Sequence, residues 1–184
     1  MIVTQQIVSF YQERNEVFLG EITREHIHSV INQLVEMKMQ GKALTLVISS
    51  PGGVTQAGFD LAQFIEQELD SHVTARVWGR CNSAATYALL CCKNRIAHPN
   101  AVFVMHRQTT SMEMEYTDGF SKKLEEWRRD NEFIHQRQID FYSRKMKLSK
   151  PRVVKLLNRG MGIDAELSAS EAFELGLINE IKKM

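Results

Sequence analysis

From residue 16 onward the chain alternates between two hydrophobic rhythms. Continuous apolar runs at 16–22 (EVFLGEI), 43–49 (ALTLVIS) and 72–79 (HVTARVWG) predict strands. The second, rich in β-branched residues, reads as a strand covered on both faces. Between the runs, apolar positions recur every three or four residues. Ile27, Val30, Ile31, Leu34 and Val35 line one face of a helix that Thr23 would cap and Gly41 would stop. Ala57, Leu61, Phe64, Ile65 and Leu69 line a second helix, after the SPGG break at 50–53.

The alternation continues to the last residues. A small-residue helix is predicted at 83–92, and two short strands flank the His98-Pro99-Asn100 turn in NRIAHPNAVFVMH. A long charged helix spans 117–146, with Phe120, Leu124, Trp127, Phe133 or Ile134, and Phe141 at its apolar positions. A shorter helix covers 149–158, with Pro151 near its start. SASEAFELGLINEI then reads as a helix, a glycine cap at Gly176 and a final strand. Such repetition predicts an α/β fold with a mainly parallel sheet. With no internal repeat, low-complexity tract or linker, residues 1–184 read as a single domain.

Composition narrows the class by exclusion. Apolar residues make up 43% and charged residues 24%, as in ordinary soluble proteins. Lys plus Arg number 23 against 22 for Asp plus Glu, a net charge of +1. That leaves no basic field for nucleic acid or a membrane surface. Cys81, Cys91 and Cys92 form an odd set without zinc spacing, which predicts reduced thiols in a cytosol-like compartment. MIVTQQIVSF lacks the basic and apolar regions of a signal peptide, and no stretch approaches the roughly 20 apolar residues of a membrane helix. The expectation is a soluble, cytoplasmic protein without membrane or nucleic-acid partners.

In a parallel α/β sheet, ligands gather beyond the carboxyl ends of the strands. That singles out a few loops. In SSPGG (49–53), two adjacent glycines can turn N–H groups toward an anion, or simply make a turn. In GRCNS (79–83), Ser83 falls at the predicted start of a helix, where a hydroxyl serves as an N-cap or as a nucleophile beside partnerless N–H groups. His106 ends the run AVFVMH, and Asp164 lies in MGIDAELSASEAF; each alone reads equally well as structural. As a set they fit nucleophilic catalysis. A serine nucleophile needs a base, a carboxylate that holds the base's tautomer, and N–H donors for the oxyanion.

These segments, in this order, resemble the ClpP family, the proteolytic subunit of the ATP-dependent Clp protease. The matching motifs are SPGG at 50–53, a G-x-x-x-S helix start at Gly79 and Ser83, VFVMH ending at His106, and Asp164 with Ser168 ahead of SEAFELGLINEI. The resemblance runs from about residue 16 to the C-terminal end. It implies a crotonase-like fold of repeated ββα units with a protruding handle helix, and a Ser–His–Asp serine endopeptidase. Ser83 would attack the scissile carbonyl, His106 would shuttle the proton and Asp164 would orient the imidazole. The N–H groups of Gly53 and Ala84 would form the oxyanion hole. The handle, about 117–146, with Trp127, Phe133 and Phe141, would join two stacked heptameric rings of this chain. An AAA+ unfoldase would feed peptide substrates into their chamber; it would use the ATP, and this subunit would need no cofactor.

The chain also departs from the family's pattern. The stretch ahead of the first strand is shorter than usual, Cys81-Asn82 replaces a small apolar pair, and RQTTSMEMEYTDG lacks the usual glycine-rich segment. Two other readings stand beside the peptidase. One is a non-catalytic or specialised ring subunit without an unfoldase. The other, more distant, is a crotonase-like acyl-CoA enzyme, which usually places acidic catalytic residues where this chain has Ser83 and His106. Membrane-associated serine proteases of the same fold usually carry a Ser–Lys pair or membrane segments.

Overall fold

The computed structural model describes residues 2–108, 120–162 and 165–183. Its sheet contains β1 (Val17–Leu19), β2 (Leu44–Ser50), β3 (Val73–Asn82), β4 (Asn94–Ala97), β5 (Val102–Val104), β6 (Glu166–Ser168) and β7 (Glu180–Ile181). Along the path β1-β2-β3-β4-β7 all neighbours are parallel. β3 is long enough to serve two partners on one side. Thr74 to Val77 pair with β4, and Arg80, Cys81 and Asn82 pair with Val102, Phe103 and Val104 of β5. β6 adds to β5 antiparallel, Glu166 opposite Val104. The α/β class and the mainly parallel sheet are therefore as expected.

Helices α1 (Ile2–Glu13), α2 (Arg24–Met39), α3 (Thr55–Gln67), α4 (Ala85–Cys91), α5 (Phe120–Met146), α6 (Lys150–Arg159) and α7 (Ala169–Glu174) pack around the sheet. Thr23 caps α2 as expected, its Oγ1 accepting the His26 N–H at 3.1 Å. β2 buries Leu46, Val47 and Ile48 in succession, which is why its run is apolar without alternation. In α5 the buried side chains begin only at His135, so the half from Phe120 to Glu132 stands off the domain as a handle. Residues 117–119 of the expected helix lie outside the described residues. No helix among the described residues is long and apolar enough to cross a membrane.

Several boundaries differ from expectation, each for a tertiary reason. α1 was not foreseen; its Tyr11 stacks on Phe18 of β1 with ring centroids 5.3 Å apart. β1 is only three residues long, because Ile22 leaves it to form an isolated bridge to Gly53. β3 passes Gly79 and continues to Asn82, drawn on by its pairing with β5. β6 was not foreseen either; three residues carry no periodicity of their own. Phe141, expected on the handle's outer surface, is buried: it stands edge-on to Phe59 and Tyr87 in the core. Phe133 is 71% exposed and Trp127 only partly so.

Candidate active site

β2, β3 and β5 run parallel, so their carboxyl ends emerge at one edge of the sheet. There the chain leaves β3 through Ser83, whose φ is +53°. That left-handed conformation costs a non-glycine residue roughly 1–2 kcal/mol. Three hydrogen bonds hold it. The Ser83 N–H donates to the Val104 carbonyl at 2.7 Å. The Ser83 carbonyl accepts from the Thr86 N–H at 3.0 Å and from Thr86 Oγ1 at 2.6 Å. α4 begins only at Ala85, and its cap residue, Ala84, makes no side-chain cap bond. Ser83 is therefore not the N-cap of α4, and its hydroxyl is not spent on capping.

The 50–53 loop lies directly against this serine. A Cβ on Gly52, where φ is +94°, would come within 2.7 Å of Ser83 Cβ and 2.8 Å of the Asn82 carbonyl oxygen. A Cβ on Gly53 would fall 2.2 Å from the Ile22 carbonyl oxygen, across the bridge closed by Ile22 N–H to Gly52 and Val54 N–H to Ile22, both 2.8 Å. The Gly52 N–H donates to Ser50 Oγ at 3.1 Å. Among the described residues, the N–H groups of Gly53 and Ala84 have no intramolecular acceptor. The site thus holds a serine hydroxyl outside any cap and two uncommitted backbone donors near it.

His106 lies two residues beyond Val104, the acceptor of the Ser83 N–H. Its Nδ1 faces the Arg107 carbonyl at 2.6 Å. A carbonyl only accepts, so a neutral ring there carries its proton on Nδ1 and leaves Nε2 as the basic nitrogen. Ser83 Oγ and His106 are not joined by a hydrogen bond in this arrangement. Gly160, at the end of α6, packs onto the same main chain: a Cβ there would overlap the Met105 carbonyl oxygen at 1.8 Å and approach His106 Cα at 2.9 Å. Asp164 lies outside the described residues.

Neighbouring titratable groups are poor competitors for Ser83. Burial pushes the Cys81 and Cys92 thiols far up and raises Cys91 to about 11, so thiolate is scarce near neutral pH. Burial also raises the Tyr87 hydroxyl to about 12. A groove of about 590 Å³ between α3 and α5, lined by Phe59, Phe133, Arg137 and Asp140 among others, includes none of Ser83, His106 or the 50–53 loop. It is separate from this site.

The sequence places the 49–53 loop, Ser83 and His106 at the carboxyl ends of the strands, and the resemblance adds the Gly53 and Ala84 N–H groups. Both missed the contacts that hold them. Gly58 lets α3 approach the Ala84 carbonyl, Gly160 lets α6 reach 105–106, and Gln138, Tyr142, Thr86 and Tyr87 form a buried polar layer behind the serine. Polar residues at core-facing positions of α5 were the available signal, since Gln138 falls in register with Ile139, Phe141 and Tyr142.

Comparison with known proteins gives one consistent result. A family model described as Clp protease matches residues 2–184. The ATP-dependent Clp protease proteolytic subunit 2 of Treponema denticola is 26% identical over 181 residues, covering 95% of this chain and 84% of that protein. The ATP-dependent Clp protease proteolytic subunit 1 of Chlamydia pneumoniae is 29% identical over 174 residues, 92% of this chain and 87% of that protein. Its counterpart in Chlamydia muridarum is 28% identical, over 92% of this chain and 86% of that protein.

Proposed function

This chain belongs to the Clp protease family, and from that premise we propose that it is a serine endopeptidase cutting peptide bonds of unfolded proteins and peptides. The observation that carries the reading is Ser83 itself. It is held in a left-handed turn at a strand end, outside any cap, with Gly52 pressed against it and two free N–H groups near it. Ser71 takes the same left-handed φ, so strain by itself marks no nucleophile; what sets Ser83 apart is a hydroxyl free of any cap beside a packed glycine loop and two unused N–H groups.

In this reading Ser83 Oγ attacks the scissile carbonyl carbon while His106 Nε2 takes the hydroxyl proton. The carbonyl π pair moves onto oxygen, and the Gly53 and Ala84 N–H groups donate hydrogen bonds to the resulting oxyanion. The tetrahedral adduct collapses, His106 returns the proton to the departing amine, and an acyl-enzyme remains. Water, activated by the same imidazole, releases the second product. Asp164 is the proposed orienting carboxylate, taking over the Nδ1–H now directed at Arg107. What supports it is the chain on either side, with Gly160 packed on 105–106 and Glu166 paired with Val104. None of these steps draws on a cofactor.

The assembly is proposed on the same family basis. Rings stacked through the handle would use the exposed Phe133 and the partly covered Trp127. An ATP-consuming unfoldase would deliver substrate in a cytoplasmic setting; the relatives are named as subunits of an ATP-dependent protease. A second reading, a non-catalytic ring subunit, is favoured by one observation: Ser83 and His106 are not hydrogen-bonded to each other. Catalytic hydrogen bonds often tighten only on substrate binding, which keeps the peptidase first.

The deciding experiment treats wild type and Ser83→Ala with a fluorophosphonate probe and reads intact mass. One adduct on the wild type, absent from the variant, supports the peptidase. No adduct on folded wild type favours the non-catalytic subunit.

A further inference from the structure

We propose that Gln138 is a positioning residue that holds His106 in register with Ser83, an inference that rests on the peptidase reading above. Gln138 sits on the buried face of α5, 3% exposed. Its Nε2 donates to the main-chain carbonyl of His106 at 3.0 Å and to the Tyr87 hydroxyl at 2.9 Å. Tyr87 belongs to α4, one turn beyond Ser83. A single amide group thus ties the histidine's main chain to the helix that follows the serine.

The orientation of that amide is dictated by its partners. A main-chain carbonyl has no proton to give, so the NH₂ end must face His106. Both donors are then spent, and Gln138 Oε1 is left buried with no partner. An orphan buried acceptor is unfavourable, and an apolar side chain of similar length would avoid it. Packing alone therefore does not account for a glutamine at this position; its two donated bonds do.

A parallel link lies one turn further along α5. Thr86 Oγ1 donates to the Ser83 carbonyl at 2.6 Å, so the 2.6 Å contact between Thr86 and Tyr142 has the Tyr142 hydroxyl as donor. Gln138 and Tyr142, four residues apart, thereby hold the His106 and Ser83 main chains from one helix. The spacing between base and nucleophile is set by a rigid helical turn, with the strand ends as its other boundary.

The test measures fluorophosphonate labelling rates against pH on the full chain, for wild type, Gln138→Met, Tyr87→Phe and the double variant, each per folded molecule. Gln138→Met is expected to label about 10- to 100-fold more slowly, the scale of a modest misplacement of reacting groups. The double variant should label no more slowly than Gln138→Met, since both substitutions cut the same clamp. A Gln138→Met rate within about twofold of wild type at every pH overturns the proposal. If Gln138→Met does not fold, Gln138→Asn, too short to span both acceptors, is held to the same criterion. If wild type itself does not label, the peptidase reading fails and NMR of the His106 ring decides the positioning. Ring resonances displaced in the Gln138 variant support the clamp, and resonances superimposable on wild type overturn it.

Discussion

Gly52 and Ser83 are so close that a Cβ on residue 52 would stand 2.7 Å from the Cβ of the serine. The SPGG loop and the β3–α4 turn are therefore one packed unit. That contact makes the glycine a condition of the serine's position, and it can be tested directly.

Gly52→Ala should be severe. The added methyl meets the Asn82 main-chain oxygen as well as Ser83, and φ at this position is +94°. No side-chain rotation relieves a clash with backbone, so a loss of about 2 kcal/mol or more is expected. Probe labelling of Ser83 should fall with it. Gly41→Ala is the control: φ there is +66° but nothing lies within 4 Å, so only the left-handed strain of about 1–2 kcal/mol applies. Denaturant melts of the two variants separate overlap from strain.

Ser83→Gly and Ser83→Ala should both abolish labelling yet differ in stability. Alanine keeps the strain of φ +53°, whereas glycine relieves it. Ser83→Gly is expected to be the more stable of the two, by up to about 1 kcal/mol. Chemical denaturation measures the difference. Equal stabilities would mean that the strain stored in the turn is no larger than the chain entropy glycine adds to the unfolded state.

Ser168 and Glu171 form a capping box at the start of α7. The Ser168 Oγ accepts the Glu171 N–H at 3.2 Å, and the Glu171 carboxylate accepts the Ser168 N–H at 2.9 Å. Ser168→Ala should lose about 1 kcal/mol. The bond from the Ser168 backbone N–H, followed by Arg159, holds the Glu171 carboxyl below its usual range. A depressed carboxyl stabilises the fold above its unfolded pKa, about 4.3, and that contribution fades as pH falls through the folded value. The stability gap between wild type and Glu171→Gln should thus be full at pH 7 and shrink in acid.

Alkali should act in the opposite sense through Tyr87. Burial raises its hydroxyl to about 12, against about 10 in an unfolded chain. The resulting contribution is full below pH 10 and is lost as pH rises from 10 to 12, because only the unfolded state ionises readily. Melting curves across that range should fall less steeply for Tyr87→Phe than for wild type.

All three cysteines are free and buried, with thiols pushed up by desolvation. Iodoacetamide at pH 7.5 should leave the folded protein essentially unmodified and add three groups after denaturation. Rapid alkylation of the folded state, read by intact mass, would contradict the packing around Cys81, two residues before the serine.

The chain's own pattern settled whatever depends on local spacing. The amphipathic faces of α2 and α3, the Thr23 cap, the unbroken apolar run of β2 and the punctuation at 50–53 all arise among near neighbours in sequence. The order of elements followed from these, as did the choice of the sheet edge at the carboxyl ends of β2, β3 and β5. Tertiary structure decided what depends on distant partners. β3 runs on to Asn82 because β5 pairs with it. α4 therefore starts at Ala85, and Ser83 is a strained turn residue instead of a cap. Phe141 faces inward because Phe59 and Tyr87, far away in sequence, offer their rings. Gln138 donates to partners far away in sequence, the His106 carbonyl 32 residues off and the Tyr87 hydroxyl 51 residues off. Periodicity encodes which face of an element is buried; which atoms meet across the core depends on how those faces pack, and no local pattern carries that.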